Sequence, residues 1–165
     1  MRYGKIFSKF SEDSIIDLYY RFYDINKESY VDVIEAAQKE GLNQVIINSE
    51  IMFELMDYTV NLGGIVNRII FNEGADSELV DNINRLVSTL KGDKAISQKL
   101  KTLIGWALDK GSIDIARLYI TLKCENSTFF QGEILSNGIV ISDKAEELFD
   151  LHLKKVIGEY LNGDF

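Results

Sequence analysis

The segment Thr102–Glu125, TLIGWALDKGSIDIARLYITLKCE, constrains the fold of this chain more than any other part of it. Apolar side chains recur at helical spacing on both sides of Lys110-Gly111-Ser112, which is typical of amphipathic helices. Gly111 allows a bend, and Ser112 is a residue type that begins helices. The segment therefore predicts two short helices that fold back on each other as a helical hairpin.

Helical patterns extend over most of the remaining chain. The sequence contains no proline, which is compatible with long helices, and glycines or polar capping residues divide the apolar stretches. Ser29 and Asp32, for example, have the spacing of a capping box at the start of a helix. The predicted helices are Ser11–Asn26, Ser29–Gly41, Asn43–Leu62, 65–73, Ser77–Gly92, Asp93–Lys110, Ser112–Lys123 and Asp143–Leu161.

One segment near 133–141 has the period of a β-structure instead. Asn137-Gly138 separates the apolar residues that follow Glu133 from the run Ile139–Ile141. Asn-Gly is the preferred pair for a type I′ turn, in which both residues have positive φ. The predicted fold class is therefore mainly α: an array of antiparallel helical hairpins over residues 1–165, forming a single helical domain, with one small β-hairpin.

Three segments resemble ankyrin repeats: 36–46, 66–76 and 102–124. In the last of them, Thr102-Leu103, Ala107 and Gly111 match the family's pattern of small and turning residues, and Gly74-Ala75-Asp76 resembles the end of another repeat. The chain is thus similar to a degenerate ankyrin-repeat-like helical protein. The resemblance implies protein binding instead of catalysis, and ankyrin-like proteins occur among bacterial immunity proteins. Generic packing of helical hairpins is the alternative interpretation.

The charge distribution indicates the kind of partner. The net charge is −8, which argues against a nucleic-acid ligand because phosphates require basic residues. Residues 1–60 carry 11 acidic and 6 basic side chains, residues 61–124 carry 7 and 9, and residues 125–165 carry 8 and 3. We expect an acidic end to bind a basic protein; the alternative is that the acidity only keeps the protein soluble.

The composition also indicates in which cellular compartment the protein is expected. No apolar run reaches the roughly 18–20 residues needed to span a bilayer, and the first residues lack the apolar core of a signal peptide. The single cysteine, Cys124, cannot form an internal disulfide, which fits a reducing environment. We therefore expect a cytoplasmic protein without a membrane partner.

The partner-binding residues are predicted from two acidic segments, Asp17–Glu35 and Asp143–Asp150. Tyrosines are common anchors of protein interfaces, and carboxylates complement a basic surface. Apolar and aromatic residues form two stripes along the first predicted helix, which is also compatible with a helix enclosed in the core. The expected contact residues are Asp17, Tyr20, Tyr23, Asp24, Glu28, Asp32, Glu146 and Asp150. The leading hypothesis is an immunity protein, or antitoxin, that occludes the active surface of a basic toxin such as a nuclease.

Two other kinds of chemistry are alternatives to this hypothesis. Residues 24–35 have the oxygen-ligand spacing of an EF-hand loop, so the alternative function is a calcium-responsive regulatory protein. Catalysis would have to use His152, which a buried position explains equally well, or a pair from the carboxylates of Asp143–Asp150, which a solvated helix start also explains. No nucleotide-binding or nucleophile motif is present, and one histidine with one cysteine cannot form a His/Cys zinc site. We therefore expect no enzymatic activity, no cofactor and no metal.

Overall fold

The computed structural model describes residues 1–89, 94–110, 113–123 and 129–163, which form an antiparallel sheet with helices on both faces. The strands are β1 (Arg2–Phe10), β2 (Ile16–Tyr23), β3 (Asn43–Gln44), β4 (Ile65–Phe71), β5 (Ile115–Lys123), β6 (Phe129–Leu135) and β7 (Ile139–Ser142). The helices are α1 (Tyr30–Lys39), α2 (Ser49–Asn61), α3 (Ser77–Thr89), α4 (Lys94–Asp109), α5 (Ala145–Leu148) and α6 (Lys154–Leu161). A π-helical turn, Phe149–Leu153, joins α5 to α6.

Strand β1 joins the N-terminal and C-terminal parts of the sheet. The order of the sheet is β2-β1-β7-β6-β5-β4, and β3 pairs with the second half of β1. The first half of β1 pairs with β7, from Arg2 opposite Ser142 to Lys5 opposite Ile139. The N-terminal hairpin of β1 and β2 therefore continues directly into the C-terminal hairpin of β6 and β7.

The main core lies between the sheet and helices α2 to α6. Leu118, Ile120 and Leu122 of β5 are fully buried in it, whereas Arg117 and Tyr119 point to the opposite face. This alternation is the period of two that a β-strand requires when one face is buried. β-Branched and aromatic residues, which favour strands, supply much of the sheet.

A smaller core lies on the opposite face of the sheet. Ile6 of β1 belongs to the main core, but its neighbour Phe7 points the other way and packs against Val33, Ala37 and Leu42. The first two of these residues lie on α1, which covers this end of the second face. Successive residues of β1 therefore belong to two different cores.

Several local predictions are confirmed. The Ser29 side chain accepts a hydrogen bond from the Asp32 N–H, and the Asp32 carboxylate accepts one from the Ser29 N–H, so the capping box begins α1 as predicted. Helices α3 and α4 and the final helical segment lie where helices were predicted. The hairpin of β6 and β7 is also present, but only Gly138 of the Asn-Gly pair has positive φ, so the turn is not type I′.

The predicted fold class is wrong: the protein combines helices with a large antiparallel sheet and is not mainly α. Three predicted helices are strands or contain one, because Ser11–Asn26 contains β2, 65–73 contains β4 and Ser112–Lys123 contains β5. Each is short and rich in apolar residues, so helical and alternating patterns overlap within it. Asn43–Leu62 is helical only from Ser49, after the short strand β3.

The ankyrin-like resemblance is also wrong, because the segments that carry it are not helical pairs. Residues 36–46 run from α1 into β3, 66–76 lie mostly in β4, and 102–124 pass from α4 into β5. The structure is therefore not a helical repeat. The predicted bend at Gly111-Ser112, the boundary at Gly92-Asp93, and Cys124 lie outside the described residues.

Lys5 of β1 is a fully buried cation on the α1 face of the sheet. Its Nζ donates a hydrogen bond to the Asn137 carbonyl and lies 5.2 Å from the ring centroid of Tyr30 and 5.6 Å from that of Phe7. A carbonyl and two π faces stabilise an ammonium less well than water does. Burial accordingly lowers the pKa of Lys5 from 10.5 to about 8.

We predict that the protein becomes more stable as the pH rises from about 8 toward about 10. In this window Lys5 loses its proton in the folded state but keeps it in the unfolded state, so the unfolded state binds more protons. The free energy of unfolding should rise by roughly 2 kcal/mol between about pH 7.5 and 9.5, as measured by urea denaturation. Lys5→Met should abolish the rise, whereas Lys9→Met at an exposed position of the same strand should retain it. A flat wild-type profile would contradict this account.

Candidate functional site

Strand β2 forms one end of the sheet. Among the strands of the described ranges, it pairs with β1 and with no other. At its first residue, Ile16, the N–H donates to Asn162 Oδ1 at 2.8 Å and the carbonyl accepts from Asn162 Nδ2 at 3.0 Å. Since backbone groups of an antiparallel strand alternate between its two edges, those of Leu18, Tyr20 and Phe22 also point outward. Leu18 is buried, so the accessible part of this edge lies toward the exposed Phe22.

A cleft of about 550 Å³ lies at the far end of this edge. We call it the β2 cleft; it is lined by Met1, Arg2, Tyr3, Tyr20, Phe22, Tyr23, Asp24, Ile25, Asn26 and Glu146. Four of these residues are aromatic, and Phe22 is 57% exposed. Elements from both ends of the chain therefore form one open, aromatic depression with charges of both signs.

Tyr20 forms the inner wall of the cleft. Its ring stacks on Phe149 of the π-helical turn with the centroids 5.8 Å apart, and it lies across Gly4 of β1. A Cβ atom at Gly4 would lie only 2.0 Å from the Tyr20 ring, so glycine is required for this close approach. The tyrosine is thereby held between the sheet and the C-terminal helical segment.

Burial and the neighbouring charges together favour the protonated form of the Tyr20 hydroxyl. Burial raises the pKa of Tyr20 above its usual value of 10.0, and the negative charge of Glu146 raises it further, while Arg2 opposes the shift. Glu147 also acts in the raising direction. The Tyr20 hydroxyl therefore stays protonated near neutral pH and is available as a hydrogen-bond donor beside a carboxylate.

Four of the eight predicted contact residues, Tyr20, Tyr23, Asp24 and Glu146, line the β2 cleft. Of the other four, Asp17 is exposed on β2, Glu28 and Asp32 lie at the start of α1, and Asp150 is exposed on the π-helical turn. Glu28 accepts a hydrogen bond from the Asp24 N–H at 3.3 Å, so it also orders the turn after β2. The structure thus brings half of the predicted residues together and places the others on neighbouring surface or in capping positions.

Sequence reasoning missed Arg2, Tyr3 and Phe22 as residues of this site. The signal that could have identified them is a pair of stretches rich in aromatic residues and isoleucine, Arg2–Phe10 and Ile16–Tyr23, separated by the short polar segment that begins at Ser11. Such a pattern is typical of a β-hairpin with a turn of a few residues. A hairpin prediction would have placed Tyr3 opposite Tyr23.

The predicted calcium loop at 24–35 lacks the expected entering helix, because β2 precedes it. The Asp24 carboxylate accepts a hydrogen bond from the Asn26 N–H at 3.0 Å, and Asp32 is used in the capping box. Among the residues that the structure describes, no group of three or more His, Cys, Asp or Glu side chains is arranged to hold a metal ion. This geometry gives no support to a calcium-responsive function.

His152 lies in an aromatic environment at the other side of the C-terminal helical segment. Its Nδ1 is 2.9 Å from the Tyr58 hydroxyl, and the Tyr58 and Phe130 rings contact the imidazole edge to face. Burial lowers the pKa of His152 below its usual value, so the ring is neutral near pH 7. No carboxylate within the described ranges forms an ion pair with it. The arrangement is that of a structural contact between α2 and the π-helical turn.

A second depression, of about 330 Å³, lies on the sheet face away from α2 to α6. Glu133 and Tyr119 line it, and the Glu133 carboxylate is paired with Arg117 at 2.6 Å. The Thr121 hydroxyl donates to Asn67 Oδ1 at 2.7 Å nearby. The Glu133 and Thr121 side chains already have these partners within the chain, so they are less available to a ligand.

Comparison of the chain with protein-family models, with curated proteins and with solved structures finds no match. Within the part of the chain that the structure describes, no helix has both the length and the apolar character needed to cross a bilayer.

We predict that Gly4→Ala destabilises the protein and displaces Tyr20. The added methyl group would overlap the Tyr20 ring, which must leave Phe149, and overpacking of this kind costs about 1–3 kcal/mol. Urea denaturation would measure the loss, and near-ultraviolet circular dichroism would report the tyrosine environment. Gly105→Ala in α4 is the matched control, because its Cβ would have no neighbour within 4 Å and alanine favours a helix. Equal effects of the two substitutions would contradict the packing argument.

Proposed function

We propose that this protein is a binding module for a basic protein partner, and most concretely an immunity protein that neutralises a basic bacterial toxin by occluding its active surface. The observation that carries the proposal is the β2 cleft, in which Tyr20 and Tyr23 lie beside Asp24 and Glu146. Aromatic anchors surrounded by charge are typical of the energetically important parts of protein interfaces.

The charge pattern supports a basic partner. The two acidic segments of the sequence, 1–60 and 125–165, supply every residue that lines the cleft, and Glu147 and Asp150 add exposed carboxylates beside Glu146. Complementary charge speeds encounter and rejects partners of the wrong sign. A basic toxin domain would therefore be attracted to this corner of the molecule before short-range contacts form.

The proposed mechanism is occlusion, in which the module covers the partner's active surface and transforms nothing. Phe22, half exposed at the mouth of the cleft, and the tyrosines beside it supply contact area, while the carboxylates pair with Lys or Arg side chains of the partner. Interfacial ion pairs of this kind determine association rate and specificity more than raw affinity. Such a protein would act in the cytoplasm of the cell that produces the toxin.

We predict that the triple variant Glu146→Lys/Glu147→Lys/Asp150→Lys binds the partner at least roughly tenfold more weakly, because it reverses the charge beside the cleft. The wild-type protein is immobilised, a basic protein is captured from the producing cell, and the purified pair is measured by isothermal titration calorimetry. Wild-type affinity should fall with added salt, since exposed charges are screened. Addition of the wild-type protein should also inhibit the captured toxin.

The matched control is Glu73→Lys/Glu78→Lys/Asp81→Lys. It makes the same change in net charge at exposed positions away from the cleft, and Glu78 lies in the first turn of α3 as Glu146 lies in that of α5. This variant should retain wild-type affinity. Equal weakening by both variants would show that only net charge matters, and capture of acidic partners alone would contradict the proposal.

A further inference from the structure

His152 is the only histidine of the sequence, and it lies within the π-helical turn that joins α5 to α6. Its half-buried ring contacts the Tyr58 hydroxyl at 2.9 Å. It also packs edge to face on the rings of Tyr58 and Phe130, with the centroids 5.7 and 6.1 Å away. One titratable side chain therefore attaches the turn to both α2 and β6.

The same turn supports the inner wall of the β2 cleft. Phe149, its first residue, is buried and stacks on Tyr20 with the centroids 5.8 Å apart. The Phe149 carbonyl accepts a hydrogen bond from the Lys154 N–H, and the backbone ring that this bond closes includes His152. Helical turns of this width are rare, which indicates that side-chain packing maintains this one. The contacts of His152 and of Phe149 are therefore linked through a single backbone turn.

The environment of His152 stabilises a neutral imidazole better than an imidazolium. A neutral ring with its proton on Nε2 accepts the Tyr58 hydroxyl proton at Nδ1. In the protonated ring both nitrogens are donors, so this hydrogen bond must reverse while a charge lies between aromatic rings instead of in water. Burial accordingly lowers the pKa of His152 below its usual value of 6.5. Acid therefore weakens the attachment of the turn to α2 and β6.

The charged groups around His152 give an imidazolium little compensation. Lys144 lies with its Nζ 5.5 Å from the Phe130 ring centroid, so the ring that His152 contacts already has one cation beside it. Glu159 of α6 acts on Tyr58, whose pKa its negative charge raises. Other titratable side chains of the segment are exposed to solvent: Glu146, Glu147, Asp150, Lys154 and Lys155. Among the ion pairs of the described residues, none involves His152.

We propose that His152 is an acid-sensitive conformational switch for the inner wall of the β2 cleft. Protonation of its ring releases the π-helical turn from Tyr58 and Phe130, and Phe149 then moves away from Tyr20. The wall is ordered near pH 7 and loosens as the pH falls. Because the unfolded state binds this proton more tightly than the folded state does, the same acidification lowers the free energy of unfolding.

Nuclear magnetic resonance of the wild-type chain with ¹³C-labelled histidine and tyrosine tests the proposal. A single imidazole signal reports the protonation of His152, and the Tyr20 ring signal, identified by its loss in Tyr20→Phe, reports the contact with Phe149. Both signals should move with one midpoint as the pH falls from about 7.5 to about 4.5. A Tyr20 signal that stays constant through the His152 midpoint would overturn the proposal.

Two variants separate this effect from the titration of Glu146, whose charge also acts on Tyr20. In His152→Phe, the Tyr20 signal should lose its movement at the histidine midpoint and keep only the movement at lower pH. In Tyr58→Phe, which removes one hydroxyl, the midpoints of His152 and Tyr20 should still coincide. Tyr19→Phe on the exposed surface of β2 is the matched control and should leave both midpoints at their wild-type values.

Separate midpoints in Tyr58→Phe, or a movement that persists unchanged in His152→Phe, would contradict the switch. The comparison in Tyr58→Phe keeps the test decisive if His152→Phe does not fold. These measurements require no partner, so their failure is distinct from a failure of the Glu146 variants that test the proposed function.

Discussion

The ladder between β1 and β7 is the constraint on which the rest of the structure depends. These strands are separated by more than 120 residues, and their pairing from Arg2 to Lys5 joins the N-terminal hairpin to the C-terminal one. Glu146 follows β7 almost directly, and Tyr20 lies on the strand next to β1. The β2 cleft therefore exists only because this long-range pairing brings two acidic segments to one corner of the sheet.

The π-helical turn Phe149–Leu153 determines which side chains the C-terminal helical segment presents. A π-helical turn adds a residue to a helix and rotates the residues that follow it. Its first and last residues, Phe149 and Leu153, are buried, and Phe149 packs against Tyr20. His152, within the turn, contacts Tyr58 of α2. Asp150 is left on the exposed surface. One local irregularity thus supports the wall of the cleft, fixes the histidine and keeps a carboxylate in solvent.

The sequence predicted features that depend on neighbouring residues and failed where distant contacts decide. The Ser29–Asp32 capping box and the turn at Gly138 require only local geometry, and both were predicted to lie where they do. The segments of β2, β4 and β5 are short and apolar, and only their partners in the sheet select the extended form. β5 was the most misleading, because Ser112–Lys123 was predicted as a helix although Leu118, Ile120 and Leu122 recur at every second position, as in a strand.

The candidate site was predictable in residue type but not in arrangement. Acidic residues and tyrosines were identified from composition, and four of them line one cleft although Ser11–Asn26 was wrongly predicted as a helix. Tyr20 and Tyr23 point to opposite faces of β2, one against the main core and one against the smaller core, and both reach the cleft at the end of the strand. Arg2 and Tyr3 could not be found without the pairing of β1 with β2, because nothing in their own segment distinguishes them.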